Sequence, residues 1–385
     1  MVKRMLATLM LFVLCLPLTA LADVAEQVQA PAQITDTWTS ATGKTVIHVH
    51  APIHVPDAQA MYLIPVTAAV FEDEMALRLA ELMWPGIDEP LEITDDENGY
   101  YLHHSATVFR RGTPQEDIRI ETHAVHDLLK RPEGIVGNTL SGSIILGMDA
   151  GLAPTVSYYN PYMTTEVDDE GLPGHQLTRA QAAAEAELFL RTLTDEPFEL
   201  FAVGQNAGLA FNSKSPTTAA APSYTFAFTR RLDGVPLLPC MHGFMSASNR
   251  DDLFTPPVSY EEILMSMDRE GRITGVLWHA PYVYGDDRAP QALLPFETVL
   301  DVARRTLPLK YQGWETYGDV SYELYRIDLG YMALLQKDRS AFALTPVWNF
   351  YGHPTTEDEE GTIGCLPILT VHAVDGSVID LDLGY

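Results

Sequence analysis

The amino-acid sequence predicts an α+β fold built of tandem units, each one amphipathic helix packed on an antiparallel sheet. Three observations carry that prediction. Two segments place apolar residues at helical spacing behind helix-start signals. Strands follow one another with no helix between them, which excludes a doubly wound parallel sheet. The last two sections also repeat one order: a helix, a run of strands, and a hairpin closing on an acidic residue near glycine. At 385 residues, the chain is long enough for two or three cores rather than one.

The N-terminus reads as an address. Lys3 and Arg4 precede an apolar run, residues 5–16, that falls short of the roughly 20 residues a membrane span needs. Pro17 ends the run, and Ala20 and Ala22 supply the small residues a signal peptidase reads. Residues 1–22 are therefore expected to be a signal peptide cut after Ala22, leaving a secreted or extracytoplasmic chain with no stable membrane span. An uncleaved anchor helix is the competing reading. A lipoprotein is excluded, because Leu14 rather than a small residue precedes Cys15. Cys240 and Cys365 then remain, and either one disulfide or two buried thiols accounts for them. Fifty-two acidic against 24 basic side chains give a formal net charge of −28, which argues against a nucleic-acid partner.

Residues 23–43 show no apolar period and read as a flexible leader. An N-terminal α+β unit follows over residues 44–130. In its first strand, residues 45–55, His48, His50 and His54 share one parity while Ile47, Val49 and Ile53 share the other. Residues 71–83 read as a helix with Met75, Leu79 and Leu82 on one face, stopped by Pro85-Gly86. Strands at 91–93 and 100–110 turn through Asn98-Gly99, and residues 117–125 alternate again. Residues 131–176 are rich in Gly and Pro and read as a connector with some strand near 143–148.

The central unit spans residues 177–290. Thr178 and Gln181 form a capping box, and Ala182, Ala186, Phe189, Leu190 and Leu193 follow on one helical face. A strand begins at 200–203, residues 206–223 read as a loop, and Tyr224, Phe226 and Phe228 alternate toward the turn Asp233-Gly234. A hairpin joins 260–267 to 272–279. The C-terminal unit, residues 291–385, opens at Pro295, which suits the first helical position. Phe296, Val299, Leu300, Ala303 and Leu307 trace its apolar face. Strands follow at 320–329, 332–335 and 342–350, then an acidic loop at 357–360 and a last hairpin turning at Asp375-Gly376.

These patterns carry a resemblance. The residues are Ala183-Ala184-Glu185-Ala186, Tyr224-Thr225-Phe226-Ala227-Phe228 with Asp233-Gly234-Val235-Pro236, Pro346-Val347-Trp348-Asn349-Phe350, and Val374-Asp375-Gly376-Ser377-Val378-Ile379-Asp380. A helix followed by a strand meander closing on such a turn resembles the PepSY-type fold. It is also similar to the YycH and YycI extracytoplasmic regulators of the WalK sensor kinase, and to an uncharacterised family of exported bacterial proteins. The likeness covers roughly residues 178–382. It implies interaction with a protein or envelope component rather than turnover. Those regulators carry a membrane anchor, whereas Ala20 and Ala22 mark a released chain.

Catalytic signatures are missing from the sequence. It contains no Gly-x-Ser-x-Gly, no His-Glu-x-x-His, no phosphate-binding loop and no dinucleotide fingerprint. Asp95-Asp96-Glu97-Asn98-Gly99 imitates a calcium loop, but its register places Ser105 where the bidentate Glu belongs. Cys240 near His242 is a thiol without a legible base, and the tyrosines at 158, 159 and 162 fit a core as well as a ligand. His103 and His104 fall on opposite strand faces. The strongest chemical pattern is His48-x-His50 with His54, because imidazoles two apart on a strand point the same way, as zinc ligands do. The expectation is an exported, non-enzymatic binding or regulatory protein of the bacterial cell envelope. No catalytic, cofactor-binding or metal residue is assigned and no cofactor is expected. The alternative is an extracytoplasmic metal-dependent hydrolase using His48, His50 and His54.

Overall fold

The computed structural model describes residues 22–68, 78–79, 81–82, 92–96, 99–110, 119–131, 134–145, 164–167, 169–206, 223–239, 261–279, 282–335, 342–355, 362–363 and 367–380. A short helix, α1 (Val24–Val28), leads into β1 (Gln33–Thr39), β2 (Thr45–His54) and β3 (Met61–Ala68). Next come β4 (Glu92–Asp96), β5 (Gly99–Arg110), β6 (Arg119–Arg131), β7 (Gly134–Ile145) and β8 (Thr164–Glu166). Helix α2 (Arg179–Leu193) precedes β9 (Phe198–Asn206), β10 (Ser223–Leu232), β11 (Val235–Pro236) and β12 (Glu262–Met267). Strands β13 (Ile273–His279), β14 (Tyr282–Tyr284) and β15 (Ala289–Gln291) follow. Helix α3 (Phe296–Tyr311) and a 3-10 helix (Gln312–Thr316) then open onto β16 (Val320–Leu335), β17 (Phe342–Pro354), β18 (Thr362–Ile363), β19 (Pro367–His372) and β20 (Val378–Ile379).

The fold is sheet-rich, with its strands in two sheets. The first runs β1-β2-β16-β17-β19-β20; β3 also pairs β17, and carries β14 and β15. The second runs β18-β8-β9-β10-β12-β13-β7-β6-β5-β4, with β11 on β10. The first sheet is mixed rather than antiparallel throughout, because β2 lies parallel to β16. No hairpin constrains that pair: the strands of the second sheet intervene between them in the chain, leaving either direction open.

Strand pairing redraws the segments read from sequence. Residues 44–130 are not one unit, since β2 and β3 enter the first sheet while β4, β5 and β6 enter the second. Residues 131–176 contribute β7 and β8 to the second sheet rather than only connecting. Strands β14 and β15 of the central section pair with β3, and β18 of the C-terminal section pairs with β8. The flexible leader is also corrected. Residues 23–43 hold α1, capped by the Asp23 carboxylate accepting from Glu26 N–H at 2.8 Å, and the edge strand β1. Its β character rests on β-branched Thr35, Thr37 and Thr39 and one buried anchor, Trp38, too little apolar surface to register as a period.

The second and third predicted helices fall as expected, while the first, residues 71–83, lies outside the described residues except at 78–79 and 81–82. In α2, Thr178 Oγ1 accepts from Gln181 N–H at 3.3 Å and Gln181 Oε1 accepts from Thr178 N–H at 3.0 Å. Ala182, Ala186, Leu190 and Leu193 pack against Tyr224, Phe226 and Phe228 of β10 and Ile263, Met265 and Met267 of β12. Leu79, from the segment predicted as the first helix, is buried in this same core. In α3, Pro295 is the cap rather than the first helical residue, and the helix continues through Pro308 to Tyr311, beyond the predicted end at 307. Phe296, Val299, Leu300, Ala303 and Leu307 pack against Trp348, Phe350, Leu369 and Val371, with the Phe296 and Trp348 rings 4.9 Å apart.

Several contacts among the described residues join the sheets, two of them at turns and buried charge. At one, the β10–β11 turn uses Asp233 and Gly234 at φ 51° and 83°, the left-handed pair a two-residue hairpin requires. Just beyond it, Leu238 N–H donates to Tyr331 O at 2.8 Å. Gly330 permits that approach, because a Cβ there would lie 2.6 Å from Pro236 O. At the other, Arg230 donates to Glu196 at 2.5 Å and to Glu261 at 2.7 Å. The fully buried Glu261 also accepts from Tyr284 of the first sheet at 3.0 Å and from Trp278 Nε1 at 3.4 Å. Burial pushes the Glu261 carboxyl above its ordinary range, and the Arg230 charge only partly offsets this.

β1 is fastened at its middle and at the turn that follows it. Asp36 accepts from Thr37 N–H at 2.8 Å, from Trp38 Nε1 at 2.8 Å and from Arg304 at 3.3 Å, so the edge strand carries a charge that discourages pairing with another chain. At the β1–β2 turn, Glu315 accepts from Ser40 Oγ at 2.6 Å, Thr45 Oγ1 at 2.7 Å and Thr42 Oγ1 at 2.7 Å. These hydroxyls hold its carboxyl down to about 2. A depressed folded pKa contributes stability above the unfolded value and loses it as pH falls. Glu315→Gln should therefore lower Tm at pH 6, and the deficit should close as pH drops from about 4.5 toward 2. Thermal unfolding at stepped pH checks this; a deficit independent of pH would remove the carboxylate's charge from the explanation.

Candidate functional site

Strand β2 is a clean alternation. Ile47, Val49, Ala51 and Ile53 are buried toward α3, and His48, His50 and His54 are exposed on the opposite face. Register fixes their neighbours. His48 lies between Thr37 of β1 and Glu323 of β16, His50 beside Thr35, and His54 beside Asp328. The His50 ring is engaged, with Thr35 Oγ1 at 3.2 Å from Nδ1 and Gln33 Nε2 at 3.3 Å from Nε2. This half of the face is an open polar shelf.

Moving inward, the shelf meets a sealed wall. His54 Nδ1 sits 2.6 Å from Asp328 Oδ1; the imidazole is 54% exposed and the carboxylate 3%. Arg326 Nε donates to the same carboxylate at 2.9 and 2.8 Å, so the buried negative charge is matched. The guanidinium lies 4.1 Å from the Phe201 ring centroid and donates to Phe201 O at 3.3 Å, which brings β9 of the second sheet over β16. The polar line continues through Asn349 and Thr370, both fully buried. Thr370 Oγ1 donates to Asn349 Oδ1 at 2.7 Å, and Asn349 Nδ2 donates to Tyr351 Oη at 3.2 Å.

The chemistry follows from donors and acceptors. An ionised carboxylate only accepts, so in the neutral imidazole the contact places the proton of His54 on Nδ1 and leaves Nε2 as the acceptor. That is a fixed, directional acceptor. A general base or metal site needs more around it. Among the described residues no hydroxyl or thiol is hydrogen-bonded to His54, and no three His, Cys, Asp or Glu side chains are grouped to hold an ion. His48 and His50 share a face as predicted; His48 stands in register with Glu323, and His54 is hydrogen-bonded to Asp328.

The other sequence candidates lie elsewhere. Residues 1–21, with Cys15 and nearly all of the expected signal peptide, fall outside the described residues. So do Cys240, His242, Cys365, the tyrosines at 158, 159 and 162, and the acidic loop 357–360. His103 and His104 occupy consecutive positions of β5, and Asp95, Asp96 and Gly99 belong to the β4–β5 hairpin. Asp328 and Arg326 carry no motif, but Asp328 between Ile327 and Leu329 is a charge inside an apolar strand, which is the signal in the sequence that points to it.

No family model matches this chain, and no curated protein matches it. The fold has a relative of known structure. The chain is similar to the crystal structure of an uncharacterized protein from Eubacterium rectale ATCC 33656, with TM-score 0.55 and 14% identity. The likeness covers 94% of this chain and 99% of that one. At this identity it speaks for the fold alone, and it takes in both sheets rather than one helix-roofed section. Among the described residues no helix is long and apolar enough to cross a membrane.

Proposed function

We propose that the chain is an exported, non-enzymatic binding protein of the bacterial cell envelope, whose protein or envelope ligand rests on the shelf of His48, His50 and His54. The observation that carries this reading is the His54–Asp328–Arg326 arrangement, a half-exposed imidazole hydrogen-bonded to a buried, charge-matched carboxylate. Such rigidity lowers the entropic cost of recognition. A PepSY-type or YycH-like kinship would favour binding over turnover, and the packing of α2 on one sheet and of α3 on the other suits a scaffold role. Cleavage after Ala22 would place that scaffold outside the cytoplasm.

The rival reading, a metal-dependent hydrolase, draws on the same pair, since metal-bound imidazoles commonly donate their other N–H to a carboxylate. Crosslinking in intact cells separates the two. The wild-type chain should capture a partner that H48A/H50A/H54A loses, with circular dichroism unchanged. Equal capture by the variant, or no enriched partner, overturns the binding reading. Stoichiometric metal in chelator-free protein would favour the hydrolase instead.

A further inference from the structure

Among the described residues the exposed large apolar side chains are Leu188, Val283, Leu309, Trp314, Tyr317 and Val378. The four aliphatic ones are of the kind every protein surface carries. Trp314 and Tyr317 differ. They are 62% and 85% exposed, with ring centroids 6.1 Å apart and planes inclined by 48°. Two large rings left in water side by side give up burial the fold would otherwise use.

Their mounting is rigid. Trp314 sits in the 3-10 helix and Tyr317 directly after it, and Tyr317 N–H donates to Trp314 O at 2.9 Å. Glu315, between the rings, is the carboxylate clamped by Ser40, Thr42 and Thr45. Just before them in the chain, Tyr311 stacks on Tyr322 with centroids 3.9 Å apart. The rings are thus presented on a fixed base, which reduces the ordering cost of binding.

We infer that Trp314 and Tyr317 form a stacking platform for a neutral carbohydrate chain. Aromatic faces attract the C–H faces of sugar rings, and two adjacent inclined rings meet consecutive units of a twisted chain. Charge narrows the ligand, because a net −28 repels acidic polysaccharide. The surroundings narrow it further. Gln312, Thr316 and Asp319 flank the rings in sequence and supply amide, hydroxyl and carboxylate groups of the kind that pair with sugar hydroxyls. This site is separate from the histidine shelf.

Native gels cast with hydroxyethylcellulose, laminarin, xyloglucan or glucomannan test the assignment. At least one polymer should retard the wild-type chain, with W314A and Y317A weakening Kd by about tenfold and W314F keeping most of the affinity. Both side chains are exposed, so an unchanged Tm is expected and verifies the variants. No retardation by any polymer, or retardation that W314A retains, overturns the platform. Loss of a crosslinked protein partner in W314A, with gels unaffected, would assign the rings to protein contact and end the carbohydrate reading. None of these results touches the shelf, which is read through the histidine variant.

Discussion

Arg230→Ala is expected to cost about 3–5 kcal/mol at pH 7 and to return part of that loss at pH 4. The substitution leaves Glu261 fully buried with only Tyr284 and Trp278 as donors. Burial already pushes its carboxyl up with Arg230 in place, so removing the cation pushes it further. An acid raised in the folded state keeps its stability below the unfolded pKa, near 4.5, and loses it as pH climbs toward the folded value. Each unit of that climb costs up to about 1.4 kcal/mol. Urea unfolding from pH 4 to 8 should therefore show the variant's deficit growing with pH. A parallel pair of curves would show that Arg230 acts through packing over Phe198 rather than through charge. R230M/E261L should recover most of the loss, because an apolar pair of similar volume needs no desolvated charge. The same network holds Tyr284, so its failure would loosen the joint between the sheets as well as the second core.

How much of this was legible in the sequence depends on how local the cause is. The capping box at Thr178, the apolar faces of α2 and α3 and the turns at Asp233, Gly271 and Gly376 are written within a few residues, and each forms where the pattern places it. Sheet membership is not local. Strand β2 finds its second partner in β16, across most strands of the second sheet in sequence, and nothing in residues 45–55 encodes that choice. Strand β1 was hidden for another reason: Gln33, Thr35 and Thr37 face solvent, so only Trp38 is strongly buried. The site divides the same way. The period of two put His48, His50 and His54 on one exposed face, but the partner of His54 comes from a distant strand, and so the acid the metal hypothesis lacked was present without being visible as a neighbour.

Asp328→Asn is expected to change what the shelf offers while keeping most of the fold, and Asp328→Ala to damage both. In the alanine variant Arg326 keeps its contact with Phe201 but loses its matched charge, at about 2–3 kcal/mol. The asparagine variant keeps a carbonyl oxygen for Arg326 and turns an N–H₂ donor toward His54. Nδ1 must then accept, the ring proton moves to Nε2, and the outward atom becomes a donor where it had been an acceptor. Ring nitrogen shifts read by heteronuclear NMR at pH 8 should report the Nδ1–H tautomer in the wild type and Nε2–H in D328N. A ligand that donates to His54 would then meet a donor, so crosslinked capture should fall at least as far as it does in H54A, while D328N, which also leaves Arg326 without an opposite charge, loses less stability than D328A. Averaged tautomers in the wild type would mean that Asp328 does not fix the ring, and capture undiminished in D328N would mean that His54 Nε2 does not touch the ligand. Those two outcomes fail at different links. The first breaks the inference from the 2.6 Å contact to orientation, and the second breaks the step from orientation to recognition.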